Sequence, residues 1–397
     1  MTTAIWVFLA AVTAQTVPVD GPEWERHIVD NGSKGADGVK LDDVDLDGDL
    51  DLVCGWEEGG VIRVYLNPGT DAVRDLWPFV EVGQIKSPED AILADLDGDG
   101  GMDVVSFAEG KTRAIHVHWG PRDGALRLNP NAWKTELLPW PEPAQLWMQG
   151  VAMDLDGKNG LDLVTASKGS GATVSLALSP KRARDLGAWT TQVLRKSHWI
   201  MSVVPKDMDG DGLSDLLIVD RKGDRSGVFW LKNPGAEKVL LRKKWREFAV
   251  GAPGREVMFL DAGDVNADGH LDVVAAVKPR EVHLFLGGDE VNEWQEEVVQ
   301  LGGEIGDAKG VALGDLNADG LLDIVFTCEH ADGPLSGIVW LEQREAGAWN
   351  QRPLGGAAGL KYDYPVTIDL DGDGDLDVLT CEERDQLGII WYENPHH

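Results

Sequence analysis

A chain of 397 residues with 68 acidic against 36 basic side chains carries a formal charge of −32 at neutral pH. That excess repels phosphate backbones and anionic lipid surfaces, which excludes nucleic acid or a charged bilayer face as the partner. The length exceeds one ordinary hydrophobic core but suits an array in which each unit packs only on its neighbours.

At the N-terminus, Met1-Thr2-Thr3 leads into an apolar run over residues 5–12, and Val12-Thr13-Ala14 before Gln15 has the small-residue spacing of a signal-peptidase site. We expect a leader over 1–14, a linker over 15–23, and a secreted or periplasmic mature chain over 24–397. The run is too short to span a bilayer, and no later stretch approaches about 20 apolar residues.

From Asp43 onward an acidic loop recurs as Asp-x-Asp/Asn-x-Asp-Gly-x-x-Asp, beginning at Asp43, Asp95, Asp154, Asp207, Asp264, Asp315 and Asp369. A period near fifty residues is the signature of a repeat architecture. Carboxylates at alternate positions of a tight loop converge their oxygens on one point, an arrangement of hard ligands that suits Ca²⁺. The expected ligands are Asp43, Asp45, Asp47 and Asp51 in the first copy, and Asp95, Asp97, Asp99 and Asp103 in the second. The fourth offers Asp207, Asp209, Asp211 and Asp215, and the seventh Asp369, Asp371, Asp373 and Asp377. In the fifth, Asn266 joins Asp264, Asp268 and Asp272; in the sixth, Asn317 joins Asp315, Asp319 and Asp323, so both drop one charge and are expected to bind more weakly. The third copy keeps Asp154, Asp156 and Asp162 but places Lys158 at the fifth position, where an ammonium competes for the metal's place. Up to seven structural Ca²⁺ are expected, with the loop at Asp154 set apart.

Each unit also carries apolar strand-like runs before and after the loop, a third β-rich run such as 227–231, and a fourth that opens with Trp: Trp24, Trp77, Trp133, Trp189, Trp245, Trp294 and Trp349. One Trp at the same place in every unit reads as packing between units. Four strands in each of seven units describe an all-β, seven-bladed β-propeller of four-stranded blades. Because the chain begins with a Trp strand and ends with a third strand, residues 24–29 are expected to complete the last blade and close the ring. Cys54, Cys328 and Cys381 follow the loops at equivalent positions, too far apart in adjacent blades for a bridge, and read as buried free thiols.

These loops and strands resemble the FG-GAP/VCBS repeat family, as in integrin α-subunit propellers, over residues 24–394. The resemblance implies the propeller fold and loop-bound Ca²⁺. For function it implies an adhesion head, a sugar-binding lectin, or part of a carbohydrate lyase or dehydratase. Fold alone does not choose among them.

In this topology the face opposite the loops is built from segments leading into the first strands and from loops joining second to third strands. Those segments differ from blade to blade, as a specific site requires. Candidate ligand-binding residues are Asp37, Trp56, Glu89, Asp90, Trp147, Gln149, Trp199, Arg221, His330, Tyr362, Glu382 and Arg384. If the funnel is catalytic, His198 with Glu256 or Asp363 would move protons, and Lys309 or Arg255 would stabilise charge. The leading expectation is a secreted Ca²⁺-binding propeller that takes a carbohydrate in this funnel; the alternatives are a sugar lyase or dehydratase, and an adhesion module for an extracellular protein. His116 and His118 alternate within a strand and read as packing or solvent-facing residues rather than zinc ligands.

Overall fold

In the computed structural model, residues 12–141, 144–345 and 347–395 are described. Seven antiparallel sheets of four strands, two of them extended by a fifth, stand in a ring, and among the described residues the α-helix is confined to Ala236–Leu240. The innermost strands are Ala36–Asp42, Pro88–Ala94, Leu146–Met153, Ile200–Lys206, Val257–Gly263, Asp307–Gly314 and Val366–Ile368, numbered here as blades 1 to 7. Successive inner strands pack side by side around the axis. The second strands, such as Asp51–Trp56, Asp103–Ala108 and Asp377–Glu382, are buried along their whole length, sandwiched between neighbouring blades.

Blade 7 is completed by the strand Glu25–Asp30, which runs antiparallel to Gly388–Glu393 with Arg26 opposite Tyr392 and Ile28 opposite Ile390. Residues 1–11 of the expected leader lie outside the described residues. Its end and the expected linker supply the two extra strands: Val12–Gln15 pairs in parallel with Gln295–Gln300 on the rim of blade 5, and Val17–Pro18 with Ala348–Pro353 on blade 6. Thr16 joins the two, its N–H donating to the Gln300 carbonyl at 3.0 Å and its hydroxyl to Gln351 Oε1 at 2.8 Å. Cleavage after Ala14 would divide this strand.

The core is interblade. The Trp before each fourth strand shares a buried cluster with the second residue of the preceding blade's acidic loop: Trp77 with Leu370, Trp133 with Val44, Trp189 with Leu96, Trp245 with Leu155, and Trp24 with Leu316. The repeat period therefore encodes the seam between units. Cys54, Cys328 and Cys381 are buried free thiols.

Candidate functional site

Each acidic loop follows an inner strand, so all seven lie on one face. Their turns need left-handed backbone at the fourth and sixth positions, as at Leu46 (φ 61°) and Gly48 (φ 102°) or Ala267 (φ 56°) and Gly269 (φ 87°). The sixth position is glycine except at Asn159 (φ 63°), and asparagine tolerates that region. These turns bring one carboxylate oxygen from each of Asp43, Asp45 and Asp51, and from each of Asp95, Asp97 and Asp99, within 4.8 Å of one another. An all-oxygen donor set of that kind fits Ca²⁺.

The ninth aspartate has a task in the fold that the motif did not reveal. In blade 1, Asp51 accepts the N–H of Val44 at 2.8 Å and that of Asn67 at 2.7 Å, which ties the loop to the turn after the third strand. The pair recurs in every blade, for example at Asp215 with Met208 and Asn233, and at Asp377 with Leu370 and Asn394. Burial pushes the carboxyls of Asp103, Asp323 and Asp377 up to about 7 despite those N–H donors.

The opposite face holds a cavity of ≈ 90 Å³ to which all seven blades contribute. Asp37, Glu89, Asp90, Gln149, Trp199, Arg221, Lys309 and Asp363 line it as expected from the sequence, joined by Glu57, Lys168, Glu329, Lys361 and Tyr364. Met148, Met201 and Phe259 line it as well and were not singled out. What aims these side chains at the axis is a β-bulge near the start of the inner strand in blades 1 to 6, such as the shift at Pro88/Asp90, Trp147/Gln149 and Ala308/Gly310.

The cup is electrostatically divided. On one side, Asp37, Glu57 and Glu383 gather, as do Glu57, Glu89 and Glu109, each set with oxygens within 4.8 Å. On the other, Lys168, Arg221 and Lys222 surround Trp199, 4.8, 4.7 and 4.7 Å from its ring centroid. Cationic side chains of the cup reach carboxyl groups: Lys168 lies 3.0 Å from Glu89, Arg221 2.6 Å from Glu256, and Lys309 3.3 Å from Asp363 and 3.7 Å from Glu383. Burial, reinforced by the Glu109 carboxylate against the pull of Lys168, lifts Glu89 to about 8. Asp37 is likewise raised, by burial and then by Glu383, Glu89 and Asp363. Asp363 goes the other way: burial, the largest influence, would raise it, but Lys309, a hydrogen bond with Asp37 and the charge of Lys361 together lower it. One cavity thus holds a carboxyl that keeps its proton at neutral pH and a carboxylate that stays ionised, a combination able to donate and accept protons or to bind hydroxyls in either sense.

Several candidate residues stand elsewhere. His198, 49% exposed in its side chain, meets Asp224 at 3.5 Å on the rim, and exposed His330 meets Asp307 at 3.2 Å; neither lines the cavity. Arg255 pairs with Glu281, and Glu256 stands behind Arg221. Trp56 is buried with its indole N–H on Tyr65 at 2.9 Å, Trp147 packs on Trp140 at 4.8 Å, and Tyr362 shares a hydrogen bond with Tyr392 at 2.8 Å. Glu382 accepts the backbone N–H groups of Leu360, Lys361, Arg384, Asp385 and Leu387, so it shapes the turn that carries exposed Arg384. The pair His116 and His118 is structural in part: His118 is buried between Ser106 at 2.9 Å and Thr135 at 2.8 Å.

Deeper along the axis lies a second chamber of ≈ 350 Å³, walled by Val203, Leu260, Val311 and Val366 with Lys40 and Asp261. Tyr364, Phe259 and Gln149 line both spaces. Tyr364 reaches across to donate its hydroxyl to the Val39 carbonyl and lies 5.2 Å from Phe259.

The ring of seven blades, each with its acidic loop, defines a β-propeller that carries FG-GAP-like repeats. The FG-GAP-like repeat family matches residues 43–106, 207–275 and 264–326. Over 195 residues the chain is 28% identical to protein linkin of Caenorhabditis elegans, a match covering 45% of this chain and 31% of linkin's length. Among solved structures, BBS1N in complex with ARL6DN, soaked with lead, has a TM-score of 0.54 at 11% identity, covering 96% of this chain and 98% of that one. The mercury-soaked form of the same complex gives 0.53 at 9% identity. At those identities the likeness speaks for the fold alone.

Proposed function

We propose that this protein is a secreted or periplasmic binding module, braced by Ca²⁺ in its acidic loops, that takes a carbohydrate in the cup on the opposite face. The observation that carries this reading is the convergence of divergent polar side chains from six of the seven blades, with Phe259 from blade 5, on one cavity that offers both proton donors and acceptors. Protonated Glu89 and ionised Asp363 would hydrogen-bond hydroxyls in opposite senses, and Arg221 with Lys168 beside Trp199 would favour a sugar that bears a carboxylate. A bound Ca²⁺ would supply positive charge among the loop carboxylates. The test is calorimetric titration with neutral and acidic oligosaccharides. Binding of a uronate-containing sugar that R221Q weakens supports the proposal; no heat from any saccharide overturns it.

A second reading, recognition of a protein on the same face, draws on a fold neighbour that was crystallised with a protein partner. The opposed protonation of Glu89 and Asp363 also favours an acid–base reaction, lyase or dehydratase, in the same cup. New ultraviolet absorbance from an unsaturated product, abolished in E89Q, would establish it.

A further inference from the structure

The acidic loops differ in what already occupies them. Arg184 of blade 3 lies over the Trp119 ring at 4.9 Å and reaches back to the loop of blade 2, its Nε on Asp97 and its Nη2 3.3 Å from Asp99. Arg74 of blade 1 reaches across the ring seam to Asp371 in the loop of blade 7, and it also grips Glu393 through Nε and Nη2, both at 2.9 Å. Lys232 of blade 4 lies on Asp209 and 2.9 Å from Asp211 of its own loop. These cations sit on the third- and fifth-position carboxylates, the same oxygens a metal would use. The loops of blades 5 and 6 differ: Asn266 and Asn317 donate amide N–H groups to Asp268 at 2.9 Å and Asp319 at 3.1 Å. Among the described residues, no lysine or arginine pairs with a carboxylate of either loop, nor with one in the loops of blades 1 and 3, the latter holding Lys158 at its own fifth position, whereas the loops of blades 2, 4 and 7 are paired.

We propose that these resident side chains set the order of metal loading: the loops of blades 1, 5 and 6 accept a divalent cation first, and those of blades 2, 4 and 7 accept one only by expelling Arg184, Lys232 or Arg74. Counting ligand charge alone would put blades 5 and 6 after blades 2, 4 and 7, because they hold one carboxylate fewer. A side-chain cation a few ångströms from the metal position repels a doubly charged ion and must be stripped of its own ion pair before the carboxylates can turn inward. The inference rests on the calcium reading of the loops.

It is tested by calorimetric titration of Ca²⁺ into the full chain after stripping with a chelator. Three tighter sites followed by a weaker class are expected. D268N and D319N should each remove one tight site, while R184Q, R74Q and K232Q should each tighten one weak site by roughly tenfold. Loss of a tight site in D97N but not in D268N, or unchanged binding in all three glutamine variants, overturns the loading order while leaving calcium binding intact. Absence of any heat from the unsubstituted chain overturns the calcium reading itself. The Asp268 and Asp319 variants lie on exposed loops, so they test the order even if an arginine variant fails to fold.

Discussion

His118 shows how one buried side chain sets a pH response. Burial, with His116 as a further repulsion, lowers its pKa to about 3, so the native protein holds it neutral, whereas in the unfolded chain it takes a proton near pH 6.5. The unfolded state therefore binds more protons below that pH, and the stability His118 confers is full above about 6.5 and is lost as pH falls towards 3. Comparing H118Q with the parent chain cancels the other titrations. The parent should be the more stable at pH 7, and the gap in Tm should close as pH falls to 5; a constant gap would refute the assignment. At the same scale, the ninth aspartate of each loop belongs to the fold before it belongs to any metal. D215A should lower stability by about 2–6 kcal/mol, because the N–H groups of Met208 and Asn233 lose their acceptor in a buried setting. The loss should persist in excess chelator, and urea melts with and without EDTA will show whether it does.

At the scale of elements, most of the architecture was legible from the repeat because period, loop and Trp are all local signals. Trp133 illustrates the coupling: its indole N–H donates to the Arg127 carbonyl at 2.9 Å while its ring shares a cluster with Val44 of the preceding blade. W133A should cost about 3–5 kcal/mol, as large-to-small core substitutions do, and a denaturant midpoint will measure it. The lead-in segments were also readable as the wall of a cup, since the repeat register assigns them to the axis. Which of them face inward was not. Trp147 and Trp199 both stand where the chain enters an inner strand, yet one is buried in the core and the other lines the cavity, because Trp147 matches Ile200 in the ladder and Trp199 sits one residue earlier. Nor does any local pattern announce Arg74 and Arg184 as clamps, or Val12–Gln15 as a strand on blade 5, since each partner lies far away in the chain.

At the scale of the molecule, net charge bears directly on the proposed metal binding. The loops concentrate carboxylates on one face of an already acidic protein, where mutual repulsion opposes the turns that hold them. Chelation is expected to lower the melting temperature by many degrees, most steeply at low ionic strength where repulsion is least screened. An unchanged transition in excess EDTA would show that the aspartates hold their turns without an ion.

The pairing that completes blade 7 also sets how the ring responds to tension. Glu25 lies opposite Glu393, so a load applied between these two positions would peel their strands apart one hydrogen bond at a time, a mode that yields at low force. Val12–Gln15 instead lies parallel to Gln295–Gln300, and Thr16 and Val19 extend its grip onto blades 5 and 6. A pull on the N-terminal side must first strip that strap from two blades before it reaches the seam. A surface tether placed ahead of Val12 would thus leave the propeller closed under a load that would open it if the tether were placed at residue 24.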